Sequence, residues 1–469
     1  MTYKKKGFLK NIQWGLLPTV FALALPTMLE QLMHTAVQYV DTAMVGSLGT
    51  QASAAVGSTS TVGWLVGSSI SALGVGFLAY IARASGAGDR DLCRRASAQA
   101  VLVVLVTGIL FTVLTLALSP FVPTVMQVDP AIRETAAIYF FILYTPMLFR
   151  TASIIFGAVL RGAGDTKTPM KVGIVVNILN VVLNFFLIYE TRVLELSWFG
   201  GKVLPVTIPG AGLGVIGAAV ASAVSFAVGG VVVTVAVWRH PLISPRAQRL
   251  RPDKEILGPC LKVAMPNMAQ RFATSLGYVV FASMINSLGD VATAAHGFAN
   301  TVESAFYIPG YGMQAAAATL AGNCVGAKDK NKLDDLGRLM LVCEVILMIL
   351  SGGLLFLLAP HMLRIFSKDP LVISLGTTVL RMVALSEPFY GVTIITEGMM
   401  QGVGNTKTPF VFNVVGMWGM RILGTFLCLM ILPDPTLVAA WACMIAHNIA
   451  LFFMFSIYFK KGKWSPLHR

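Results

Sequence analysis

Glu30, His34 and Asp41 lie in one apolar stretch, with Gln38 among them. On a helix, His34 falls about 40° round the axis from Glu30 and Asp41 about 20°, so the three share one face over a rise of about 16 Å. A second polar row, Asn177, Asn180 and Asn184, follows i, i+3, i+7 spacing in another apolar stretch. A carboxylate held away from water can carry a proton. Beside neutral amide oxygens it can instead hold a hard cation. Both chemistries are ion binding. The plainer reading is that such groups tie helices together by hydrogen bonds, and it stays open for His34 and for the Asn row above all.

The surrounding chain is that of a membrane protein. Of its 469 residues, 56% are hydrophobic and 12% charged, and mean hydropathy is +0.76. Soluble domains carry roughly a quarter charged residues. A bilayer span needs about 20 mostly apolar residues. Twelve such blocks recur, at 16–46, 52–81, 97–122, 134–160, 168–190, 209–237, 256–286, 292–323, 335–361, 371–400, 408–432 and 436–459. The short alternating segments of a membrane barrel are absent from this pattern. The expected fold class is therefore an all-α integral membrane protein. In a span a charge costs at least about 2.5–3.5 kcal/mol, so Glu30 and Asp41 must face a bundle interior or water.

Basic residues gather in alternate connections. One set holds Arg83, Arg90, Arg94 and Arg95, then Arg161, Lys167 and Lys171, then Arg239, Arg246, Arg249, Arg251 and Lys254, then Lys328, Lys330, Lys332 and Lys407. Lys4, Lys5, Lys6 and Lys10 at one terminus and Lys460, Lys461 and Lys463 at the other join this set. The other connections carry only Arg133, Arg192, Lys202 and Lys368. The excess of Lys and Arg marks the cytoplasmic side, so both termini are expected inside and the chain in the plasma (inner) membrane. The formal charge of +14 is then a topology signal. It suits anionic lipid headgroups and argues against nucleic acid, because the charges are dispersed between spans. The first block runs on too far for a cleaved signal peptide. Six cysteines, Cys93, Cys260, Cys324, Cys343, Cys428 and Cys443, form no CxxC spacing and read as free thiols.

The chain repeats itself at an offset of 240. RGAGDTKTP at 161–169 returns as QGVGNTKTP at 401–409. ASAAVG at 52–57 returns as ATAAHG at 292–297, Asp129-Pro130 as Asp369-Pro370, and Pro26 as Pro266. Each copy has six blocks, so the copies are parallel, related by an axis along the membrane normal. The boundary lies in WRHPLISPRAQRLRPDKE at 238–255, giving an N-lobe at 1–245 and a C-lobe at 246–469. A cleft between such bundles suits alternating access. Position 41 corresponds to Phe281, 30 to Gln270, 180 to Met420 and 184 to Gly424, so the polar site is expected in one lobe only.

These features together resemble the multidrug and toxic compound extrusion (MATE) family. The matching residues are VDTAMVGSLG at 40–49, LRGAGDTKTP at 160–169, Asn177, Asn180 and Asn184, the small residues Gly214, Gly217, Ala218 and Ala219, and IPGYGMQAAAATLAGNCVGA at 308–327. The resemblance implies twelve helices in two pseudo-symmetric six-helix bundles and no enzyme activity. It implies a monomeric antiporter that exports organic, amphiphilic or cationic small molecules in exchange for H+ or Na+. It also implies that Asp41, Asn180 and Asn184 line an N-lobe cavity, with Ser222 supplying a hydroxyl, and a Na+ would bind at Asp41, Asn180 and Asn184. Many relatives have a carboxylate where this chain has Asn184, which weakens the sodium reading. The alternative within the wider superfamily is a lipid-linked sugar flippase.

Other relatives carry coupling carboxylates in the C-lobe. Glu303 and Glu387 are cavity candidates there, beside Glu30, His34 and Gln38 in the N-lobe, or else they are pairs with Arg. Pro26 and Pro266 are expected to interrupt their helices, as static kinks or as bends coupled to Asp41. The Gly-rich RGAGDTKTP and QGVGNTKTP lack the spacing and the strand of a phosphate loop. They read as a helix stop, a turn, and a Pro opening the next helix.

Overall fold

The computed structural model describes residues 12–126, 128–197 and 203–468, with the side chains of 50, 58–61 and 192–208 left aside. Lys4, Lys5, Lys6, Lys10 and Lys202 lie outside the described residues, as does the side chain of Arg192. The apolar blocks are helices. In the first half these are α1 (Leu17–Gly46), α2 (Thr50–Gly86), α3 (Arg90–Leu118), the short α4 (Val122–Val125), α5 (Pro130–Tyr144), α6 (Met147–Gly162), α7 (Lys167–Leu187) and α8 (Gly214–Arg239). In the second they are α9 (Lys254–Asn286), α10 (Asp290–Gly326), α11 (Lys330–Phe366), α12 (Pro370–Ala384), α13 (Glu387–Gly402), α14 (Lys407–Val414), α15 (Leu423–Ile431) and α16 (Leu437–Lys460). A π-helical segment, Val415–Ile422, joins α14 to α15 without a break.

Eight of these units are long and apolar enough to cross a membrane alone, and two bent pairs raise the number to ten among the described residues. The bent pairs are α5 with α6, at 49°, and α12 with α13, at 54°. Each bend falls within one apolar block of the sequence, 134–160 or 371–400. Pro146 closes the first break as the N-cap of α6, and Ser386 caps α13 at its repeat position, so both copies bend at the same place. The remaining two long helices, α9 and α10, carry more polar side chains, among them Lys262, Arg271 and Glu303.

A two-stranded antiparallel hairpin, Glu190–Ser197 with Val203–Ala211, stands between α7 and α8. It is an addition to the all-α expectation, and its Val, Leu, Ile and Thr content suits strands. Pro26 and Pro266 do not break their helices, for α1 and α9 run continuously through them. The RGAGDTKTP turn folds as expected. Gly164 takes φ +88°, and Asp165 accepts from the Thr168 N–H at 3.0 Å, capping α7. Gly404 (φ +75°) and Asn405 repeat the arrangement ahead of α14. Arg161 is not a loop residue; it sits in the last turn of α6.

The outward face is apolar. Val106, Ile109 and Leu110 on α3 are exposed, and so are Ile346, Ile349 and Leu350 at the equivalent positions of α11. Such a belt is stable only against lipid. Each repeat's first helix packs across the lobe boundary. α1 lies along α10, where Thr27 donates to the Gly312 carbonyl at 2.7 Å, and α9 lies along α2, where a methyl on Gly76 would lie 2.4 Å from the Cys260 carbonyl. At the basic-loop ends α2 and α10 meet backbone to backbone. A methyl on Gly86 would lie 2.1 Å from the Asn323 carbonyl, and one on Gly326 would lie 2.0 Å from that of Arg83.

Candidate coupling site

Asp41, Asn180, Asn184 and Ser222 form one connected group from α1, α7 and α8. Asn184 donates its Nδ2 to Asp41 Oδ1 at 2.5 Å and to Asn180 Oδ1 at 3.1 Å. Asn180 donates its Nδ2 to Ser222 Oγ at 3.1 Å. Both Asn side chains are buried, while Asp41 is half-buried and so reachable. Helical spacing explains the assembly: Asn180 and Asn184 are one turn apart on the buried face of α7. Asn177 lies on that same face one turn further back and is not bonded into the group.

Two orientations of the Asn180 amide fit the group, according to the charge on Asp41. Asn180 Oδ1 lies 2.7 Å from Asp41 Oδ1, two acceptors facing each other. A proton on Asp41 satisfies that contact, because the carboxyl then donates to the amide oxygen. With Asp41 charged, the Asn180 amide must turn over. It then donates to Asp41 at 2.7 Å and accepts from Ser222 at 3.1 Å. Asn184 aims its Nδ2, not its oxygen, at Asp41, and its buried Oδ1 has no partner.

The other N-lobe candidates are separate from this group. Glu30 pairs with Arg161, whose Nη1 lies 3.1 Å from Oε1 and 3.3 Å from Oε2. His34 and Gln38 are exposed on α1 between Glu30 and Asp41. Arg150 on α6, a cation inside the fourth block, stacks over Phe226 at 4.8 Å and Tyr144 at 5.8 Å.

The equivalents of Asp41, Asn180 and Asn184 in the C-lobe are Phe281, Met420 and Gly424, so that group is not repeated there. The C-lobe holds more buried polarity, built from other positions. Glu397 accepts from Gln270 (2.9 Å), Gln401 (3.0 Å) and Asn413 (3.2 Å), and Arg271 donates to Asn267 beside it. Nearby, the hydroxyls of Tyr311 and Tyr390 are 2.7 Å apart. Glu303 and Glu387 are 7% and 1% exposed, buried within the C-lobe. Glu344 is fully buried with neither oxygen partnered. Arg421 donates to the Met444 sulfur and stacks over Phe281 at 4.5 Å and Tyr278 at 4.9 Å. Arg150, Arg271, Glu344 and Arg421 are absent from the sequence-based candidates. Their signal was plain, a charge inside an apolar block.

The two lobes share a four-position polar knot. Position 30 pairs with 161 in the N-lobe, and the equivalents 270 and 401 both bind Glu397 in the C-lobe. Glu397 corresponds to Gly157, which abuts the Arg161 guanidinium, and Asn413 corresponds to Gly173, which abuts Glu30. The contact is kept and its chemistry exchanged.

Residues 26–186 and 266–427 each match the family model described as MatE, and the two matches begin 240 residues apart (266 − 26). The probable multidrug resistance protein NorM of Thermotoga maritima is 28% identical over 442 residues, covering 94% of this chain and 92% of that protein. Multidrug resistance protein PmpM of Pseudomonas aeruginosa is 24% identical over 417 residues, covering 87% of this chain and 82% of that one. Among solved structures, the outward-facing conformation of a multidrug resistance MATE family transporter of the MOP superfamily aligns with a TM-score of 0.86 at 20% identity, covering 98% of both chains. That likeness establishes the fold, twelve membrane helices in two pseudo-symmetric bundles. With two repeats matched in register across most of its length, the chain belongs to the MatE family, the multidrug and toxic compound extrusion transporters.

Proposed function

We propose that this chain is a multidrug efflux transporter that exchanges organic, amphiphilic or cationic compounds for H+, with Asp41 as the coupling carboxylate. The observation that supports the reading is the half-buried Asp41 carboxyl held by Asn184 at 2.5 Å beside Asn180, whose amide meets a protonated carboxyl in one orientation and a charged one in the other. The names of the relatives supply the cargo class, since both are multidrug resistance proteins. Transport is then alternating access between two bundles in the plasma membrane, with the basic loops and both termini cytoplasmic and the monomer as the working unit.

The chain's own residues suggest how the proton does work. Loss of the proton leaves a charge on α1, and Asn180 turns over to meet it, exchanging its bond to Ser222. The link between α1, α7 and α8 is thereby rearranged. Pro26 leaves the carbonyl one turn back without its helical donor, so α1 can bend there at low cost. Thr27, the next residue, is bonded to Gly312 of the other lobe. A bend at this point therefore passes from the ion site to α10. Na+ is the second candidate ion, at Asp41, Asn180 and Asn184, and it requires Asn184 to reverse its amide.

Cells loaded with a fluorescent organic cation test this reading. The wild-type chain is expected to clear the dye and Asp41→Asn to retain it at equal expression. Clearance by Asp41→Asn at the wild-type rate would overturn the assignment.

A further inference from the structure

Cys428 on α15 and Cys443 on α16 bring their sulfurs to 3.6 Å. Both side chains are half-buried, whereas Cys93, Cys260 and Cys324 are buried. Gly424, one turn before Cys428, faces the same cysteine: a methyl there would lie 3.5 Å from the Cys443 sulfur, an ordinary contact. A disulfide needs about 2.05 Å between sulfurs, so closure asks for side-chain rotation and a small approach of the two helices.

Position in the membrane favours oxidation. Cys428 is three residues before the end of α15 at Ile431, and Cys443 six after the start of α16 at Leu437. At 1.5 Å per residue the sulfurs lie within about 10 Å of the connection 432–436. That connection is on the side opposite the basic loops. Disulfides persist on the exterior side of a cell membrane and are reduced on the interior side.

We propose that Cys428 and Cys443 form a redox site whose disulfide locks α15 to α16. The oxidant is a disulfide-bearing compound or oxidoreductase. One thiolate attacks a sulfur of the donor disulfide and releases the first donor thiolate. The second thiolate attacks the mixed disulfide, forms the Cys428–Cys443 bond and releases the second. Two thiols are oxidised, the donor disulfide is reduced, and the two protons pass to the donor's sulfurs. The lock acts on the C-lobe interior, because Met444 follows Cys443 and receives the Arg421 guanidinium. It fixes the wall of that polar cluster while leaving Asp41 untouched.

The test uses the purified full-length chain in proteoliposomes, treated with oxidised glutathione or diamide. Free thiols are alkylated with iodoacetamide, the protein is reduced, and newly released thiols are alkylated with N-ethylmaleimide. Peptide mass spectrometry is expected to find Cys428 and Cys443 carrying the second label together. Substrate efflux is expected to fall at least severalfold and to recover with dithiothreitol. Cys443→Ser is expected to leave Cys428 with the first label and to make efflux insensitive to oxidant. First-label alkylation of both cysteines after oxidation would overturn the proposal. So would a glutathione adduct without the cross-link, a cross-link between two chains, or a cross-link that leaves efflux unchanged.

Discussion

Asn184 donates its side-chain amide to Asp41 Oδ1 at 2.5 Å, and that bond ties α7 to α1. A hydrogen bond to a charged group contributes about 1.5–3 kcal/mol. Replacing Asn184 by Ala removes the donor and keeps the carboxyl. Gradient-driven transport should fall about tenfold, since 1.4 kcal/mol is a factor of ten. Initial rates in proteoliposomes check this. An unchanged rate would show that Asp41 acts without α7.

The Glu30–Arg161 pair spans α1 and α6 with side chains 26% and 20% exposed. Removing one partner strands the other charge inside the bundle. Glu30→Gln and Arg161→Gln should each destabilise the chain by about 2 kcal/mol, below the loss from a fully buried pair. The double variant should recover part of that, with a coupling energy of about 1 kcal/mol. Thermal unfolding of the three variants in detergent measures it, and strict additivity would remove the interaction.

Gly312 lets α1 press on α10. A methyl there would sit 2.5 Å from the Met28 backbone. Backbone cannot yield as a flexible side chain does. Gly312→Ala should cost about 1–3 kcal/mol through overpacking, and about 1 kcal/mol more as the Thr27 bond is lost. Thr27→Val should show only the smaller loss. Equal melting points for Gly312→Ala and the wild type would contradict this packing.

One pH effect lies outside the membrane. Asp253 caps α9 by accepting from the Glu255 N–H at 3.0 Å, and Arg95 reaches it at 2.6 Å. The Arg95 hydrogen bond and charge hold the Asp253 carboxyl below its ordinary value. The folded value is the lower one, so the stabilisation is complete above about pH 4, the unfolded value. It is lost as pH falls through the folded value. Hydrogen exchange of the Glu255 amide should quicken as pH drops below 4, once corrected for intrinsic rates. Asp253→Asn should lack that step.

Much of this architecture is legible in the chain itself. Blocks of apolar residues and an offset of 240 suffice for twelve spans in two copies, because bilayer thickness and backbone satisfaction leave few alternatives. Asp41, Asn180 and Asn184 are legible too, since a polar row in a span must face inward, whereas Ser222 follows only from the family resemblance. Less legible is how a repeat redistributes its polarity. Glu30 and Gln270 are equivalent by count, and losing the acid at 270 looked like losing the site. The carboxylate had moved to Glu397, opposite a glycine in the other copy. Pairwise offsets compare positions one at a time, whereas a polar knot is kept by the sum of its members. The broken spans at Pro146 and Ser386 were missed for a related reason. Hydropathy does not register a 49° bend between two halves that are equally apolar.

The most direct test of the central claim is transport by the purified chain in proteoliposomes under an imposed pH gradient, then under an imposed sodium gradient at equal pH. The proton reading predicts substrate movement with the pH gradient alone, abolished in Asp41→Asn. Movement driven by sodium alone, or an Asp41→Asn variant that still follows the pH gradient at the wild-type rate, would contradict it.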